Sequence, residues 1–77
     1  MTTVKIKARI YKDEDAGAPW SWFFTVDAYV GDDPEPCVID YGSVTTHAEA
    51  LRIVEYVLTH RDEYDNAHLI GPVEVTS

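Results

Sequence analysis

The sequence predicts an α+β domain: a three-stranded antiparallel meander, one helix packed on one sheet face, and a short fourth strand, in the order β-β-β-α-β. Three observations predict it. Apolar and polar residues alternate with a period of two near the N-terminus and again through WSWFFTVDAYV, the mark of half-buried strands. One later stretch changes to helical spacing behind a Thr-x-x-Glu start. Turn-forming runs rich in Gly, Pro and Asp separate these segments.

The first strand is carried by Val4, Ile6, Ala8 and Ile10, alternating with Lys5, Lys7, Arg9 and Tyr11. The run Lys12-Asp13-Glu14-Asp15-Ala16-Gly17-Ala18-Pro19 then breaks the pattern and reads as a long hairpin loop. The second strand spans Trp20 to Val30. Its even positions, Trp20, Trp22, Phe24, Val26, Ala28 and Val30, carry no polar residue and are the expected core face. A turn through Gly31-Asp32-Asp33-Pro34-Glu35-Pro36 follows, where two prolines cannot donate to a ladder. The third strand is expected from Cys37 to Tyr41, ended by Gly42.

Thr46 and Glu49 fit a capping box, so a helix is expected from about His47 to Glu63. Its apolar stripe is Ala50, Leu51, Ile53, Val54, Val57 and Leu58; Glu49, Arg52, Glu55, Thr59 and Asp62 line the other side. After a turn at Asp65-Asn66-Ala67-His68, Leu69-Ile70 and Val73-Glu74-Val75 suggest a fourth strand, interrupted by Gly71-Pro72 and so placed at an edge or a bulge.

Pairing Lys12 with Trp20 aligns the core faces of the first hairpin, setting Ile10 by Trp22, Ala8 by Phe24 and Ile6 by Val26. Outside, Lys5 then meets Asp27 and Arg9 meets Phe23. Pairing Val30 with Cys37 sets Ala28 by Ile39, Val26 by Tyr41, Tyr29 by Val38 and Asp27 by Asp40. One helix covers one face of a sheet. The other face is left with a row Lys5–Asp27–Asp40 and a mostly uncharged band of Tyr11, Phe23, Tyr29 and Val38.

Seventy-seven residues make a single domain with a small core. A 45% hydrophobic content sets the chain apart from disordered sequences. The net charge is -8, from 14 acidic and 6 basic residues. That field repels phosphate backbones and favours a basic protein partner. It also admits a sharper alternative, an inhibitor that mimics nucleic acid in a basic groove. Cys37 is the one cysteine, so no internal disulfide forms, and a cytoplasmic location is expected. No apolar run reaches membrane-spanning length, and the N-terminus has no signal-peptide pattern.

Few residues invite catalysis. Asp27 and Asp40, as paired carboxylates, could hold a divalent metal, which is the enzymatic alternative; screening by Lys5 and solvent is the simpler reading. His47, His60 and His68 match no zinc or calcium spacing. No serine or cysteine sits in a nucleophile elbow, and the four glycines stand singly in turns. Lys5, Lys7, Arg9 and Lys12 form a basic stripe on the first strand that serves mainly to neutralise acidic neighbours. No cofactor, no metal and no catalytic residue are therefore expected.

From Gly42 through Thr46-His47-Ala48-Glu49-Ala50-Leu51 the chain resembles HicB-like domains, the antitoxin halves of toxin–antitoxin pairs. These have strand, acidic turn, strand, strand, then a glycine and a Thr-x-x-Glu-Ala-Leu helix start. Asp13-Glu14-Asp15 resembles the acidic turn. The Pro-Asp-x-Pro-Gly element is replaced by Asp33-Pro34-Glu35-Pro36-Cys37, and two extra residues separate Gly42 from the helix start. The resemblance implies a truncated ribonuclease-H-like sheet and helix that binds a small basic toxin and dimerises. Strand one offers no acid where such nucleases carry one, so nuclease activity is not implied. The composition is also similar to that of short acidic accessory proteins of actinobacterial bacteriophages.

Together these readings predict a non-catalytic, protein-binding module acting through the uncovered sheet face, with Tyr11, Phe23, Asp27, Tyr29, Val38 and Asp40 as its contact residues. The expected partner is a protein, basic or a second copy in a homodimer, rather than nucleic acid or membrane.

Overall fold

A computed structural model of the chain describes residues 3–13 and 21–77. The expected α+β architecture is present: β1 (Val4–Lys12), β2 (Trp22–Val30), β3 (Cys37–Val44), α1 (His47–Thr59), a 3-10 turn (Arg61–Glu63) and β4 (Val73–Thr76). The four strands form one mixed sheet in the order β3-β2-β1-β4. β1–β2 and β2–β3 are antiparallel, and β4 runs parallel to β1. Trp20, expected to open the second strand and join the core, lies outside the described residues.

The alternation in β1 and β2 sorts the side chains as expected. Ile6, Ala8, Ile10, Phe24, Val26 and Ala28 are buried beneath the helix, joined by Ala50, Val54 and Val57 from α1. Leu51, Ile53 and Leu58 pack around this core, and the opposite side of the helix is exposed. Trp22 is only partly buried. It sits at the rim of the core, edge-on to His47 with ring centroids 5.1 Å apart.

The observed register differs from the expected one by two residues. Lys12 pairs with Trp22, Ile10 with Phe24, Ala8 with Val26 and Ile6 with Ala28. This alignment uses the whole of both strands, from Val4–Val30 to Lys12–Trp22. A bond from the Asp13 N–H to the Ser21 carbonyl continues it (2.9 Å). Because side chains repeat every second residue, a slip of two keeps every residue on its face and changes only its neighbours.

The second correction lies in β3. It continues through Gly42 to Val44, and a β-bulge interrupts its ladder where Val26 gives way to Asp27. Asp27 pairs with Val38, Val26 with Asp40, and Thr25 with Tyr41. Ile39 remains in the core, but the extra residue reverses the facing of everything after it. Tyr41, expected opposite Val26 on the core face, is instead 73% exposed on the outer face. Gly42 now faces Phe24, whose ring fills the space where a side chain would stand; an added Cβ would lie 2.9 Å from it.

The helix starts where the capping box placed it. Thr46 Oγ1 accepts from the Glu49 N–H (3.2 Å). The Glu49 carboxylate takes the Thr45 hydroxyl as its donor (3.1 Å) instead of reaching back to the Thr46 N–H. The helix ends four residues before the expected Glu63. Thr59 Oγ1 donates to the Glu55 and Tyr56 carbonyls (3.0 Å each), and His60 leaves helical geometry at φ -121 and ψ 43. The chain then tightens into the 3-10 turn. Arg61 Nη2 reaches forward to the Asn66 and Leu69 carbonyls, which holds the return loop under the helix end.

Candidate protein-binding face

The outer face is built from the odd-numbered side chains of β1 and β2, with Val38, Tyr41 and Ser43 of β3 on one flank and Glu74 of β4 on the other. No helix among the described residues covers it, because α1 packs on the opposite side of β1, β2 and β3.

Five of the six expected contact residues lie on this face: Tyr11, Phe23, Asp27, Tyr29 and Val38. Tyr11 and Phe23 are direct cross-strand partners, with ring centroids 5.7 Å apart and planes 15° apart. Cations cap the aromatics. Arg9 lies over the Tyr11 ring at 5.6 Å and Lys7 over the Tyr29 ring at 5.2 Å, within cation–π range. These contacts hold the rings against the sheet and so lower the entropy lost when a partner packs on them.

Asp40 is placed elsewhere. The bulge pairs it with Val26, on the helix side, so it is not the cross-strand partner of Asp27. Its charge falls on Tyr64, where burial first and Asp40 second push the phenol pKa upward. The expected row Lys5–Asp27–Asp40 is therefore not formed. Lys5 faces Tyr29 and makes an ion pair with Glu74 at 2.8 Å. That contact holds the Glu74 carboxyl below its ordinary range, through its hydrogen bond first and the lysine charge second. Asp27 stands across from Lys7. Partial burial pushes the Asp27 carboxyl pKa up, and the Arg9 charge opposes that shift.

Sequence reasoning places Thr25, Lys7 and Arg9 on this face without counting them among the contact residues. It misses Tyr41 and Ser43, whose outward facing depends on the bulge. The face carries three cations, Lys5, Lys7 and Arg9, against two anions, Asp27 and Glu74. The acids that dominate the total charge stand elsewhere among the described residues: in the turn at Asp32, Asp33 and Glu35, and around the helix at Glu49, Glu55, Asp62, Glu63 and Asp65.

Among the described residues, no three His, Cys, Asp or Glu side chains gather as a metal-ligand set. On the helix side, a largely apolar cavity of about 360 Å³ opens between the end of α1 and β4, lined by Ile6, Leu58, Arg61, Leu69, Ile70 and Val73 among others. The Nη1 of Arg61 is buried and has no hydrogen-bond partner among the described residues. Cys37 is a free, partly buried thiol beside the core. No described helix is long and apolar enough to cross a membrane. No protein-family model matches the chain, and comparison with curated proteins and with solved structures finds no match either.

Proposed function

We propose that the protein is a non-catalytic binding module that recognises a protein partner through the outer sheet face. The observation that carries this reading is the paired, cation-capped aromatic band of Tyr11, Phe23 and Tyr29, extended by the exposed Tyr41, on a face that no described helix covers. Rigid aromatics and Arg are the usual anchors of protein interfaces. The mixed charge of the face suits a partner that brings polar groups of both signs. The acids of the β2–β3 turn, at one end of the face, would attract the basic groups of such a partner. An antitoxin-like role, with a small basic toxin as partner and a phage genome as source, rests on the sequence resemblance alone. A cytoplasmic site of action belongs to the same reading.

The test is affinity capture with the intact chain beside a Phe23→Ala/Tyr29→Ala double variant, and co-expression with the product of any adjacent gene for a small basic protein. A protein held by the wild type should be lost by the variant. Each anchor should contribute about 2 kcal/mol of binding. Capture of the same proteins by both chains would defeat the proposal.

A further inference from the structure

The two edges of the sheet are treated differently. The β3 edge is kinked by its bulge, and Asn66 Nδ2 donates to the Val38 carbonyl at 2.8 Å. Bulges and covering loops are the usual protections against strand addition. Among the described residues the β4 edge has neither, and no strand lies beyond it. Val73 and Val75 are 51% and 48% exposed, and Ile70, just before the strand, is 81% exposed.

The backbone phase of β4 is fixed by its pairing with β1. The Ile6 N–H donates to the Pro72 carbonyl (2.8 Å), and Ile6 is in register with Val73. In a parallel ladder this phase turns the peptide groups of residues 72, 74 and 76 towards β1, and those of Val73 and Val75 outward. Outward N–H and C=O groups on alternate residues are what an added strand requires.

We propose that a second copy of the chain occupies this edge, with β4 pairing antiparallel to its own counterpart about a two-fold axis at Val75. At that register Val75 exchanges both backbone hydrogen bonds with Val75 of the other copy, and Val73 does the same with Ser77. On the outer face Glu74 stands opposite Thr76, so no like charges meet. A two-fold axis at Glu74 would oppose two carboxylates. The only charge on β4 is already compensated within the chain, by Lys5. On the helix side, Val75 of the two copies meet and shield each other, and the sheet becomes continuous through eight strands. The outer face is a poorer seat for a second copy, since stacking it on itself would bury two sets of Lys7 and Arg9.

This inference is independent of the outer-face reading. It is tested by sedimentation equilibrium of the whole chain over a range of protein and NaCl concentrations. The expected result is a dimer whose dissociation constant falls as salt rises, because each copy carries a net charge of -8. Val75→Pro removes the outward N–H without touching the bonds to β1, and Val75→Lys sets two ammonium groups at the axis. Each should weaken the dimer at least about tenfold, with the far-UV circular dichroism of the folded chain retained. A strict monomer at every concentration overturns the proposal. So does a dimer indifferent to Val75→Lys, or one dissolved by Phe23→Ala/Tyr29→Ala but not by Val75→Lys.

Discussion

Asp27 shows how a single side chain on the outer face reports on its surroundings. Burial raises its pKa above 3.8, and the opposing Arg9 charge does not cancel that effect. A carboxyl whose folded-state pKa is raised binds protons more readily in the folded state than in the unfolded one. Its ionisation therefore costs stability at neutral pH, and that cost fades as pH falls through the raised value towards 3.8. Asp27→Asn should melt above the wild type at pH 7. The gap should close as pH is lowered and vanish below the ordinary carboxyl range. Glu74 has the opposite sign, contributing stability above its ordinary value that is lost on acidification. The comparison must therefore be variant against wild type at each pH. A melting temperature for Asp27→Asn below wild type at neutral pH would mean that its attraction to Arg9 outweighs its burial. The position of Asp27 on the outer face was legible from alternation. Its separation from Asp40 was not, because one inserted residue in β3 leaves no mark in a pattern of odd and even positions.

At the scale of elements, local signals were strongest where a single motif decides the structure. The Thr46–Glu49 cap fixed the helix start, and the alternation of β1 and β2 fixed both faces. What was hidden depended on distant partners. The hairpin register could slide by two without disturbing either face, and the helix end depends on Arg61 finding carbonyls five and eight residues ahead. The loop from Tyr64 to Ile70 is held by that arginine and by Asn66. Asn66 adopts a left-handed φ of 63 and donates to Val38 across a gap of 28 residues. Its conformation and its hydrogen bond can be separated. Asn66→Gly keeps the backbone geometry and loses the bond, and should cost about 1 kcal/mol. Asn66→Ala loses the bond and also the tolerance of asparagine for the left-handed region, adding about 1 kcal/mol more. Urea titration of the two variants checks this ordering; equal losses would mean that the left-handed turn contributes nothing.

For the molecule as a whole, charge is unevenly distributed. Eight acidic residues crowd the β2–β3 turn and the helix surroundings, from Asp32, Asp33 and Glu35 to Glu49, Glu55, Asp62, Glu63 and Asp65. Arg52 and Arg61 are the cations of that half, and Arg61 is committed to the loop carbonyls. The ion pair between Lys5 and Glu74 is solvent-exposed, so it is a weak counterweight. Self-repulsion should therefore exceed surface attraction, and screening should stabilise the fold. Raising NaCl from about 10 mM to about 150 mM shortens the screening length from about 30 Å to about 8 Å. The melting temperature should rise by several degrees, as expected for a gain of about 1 kcal/mol in a domain of this size. Dimerisation through β4 would add a dependence on protein concentration, so the measurement belongs on Val75→Lys as well as on the wild type. A rise seen in both chains at low protein concentration isolates the charge effect within one copy. A fall in melting temperature with salt would show that ion pairs, led by Lys5–Glu74, hold the fold more firmly than the acidic half strains it.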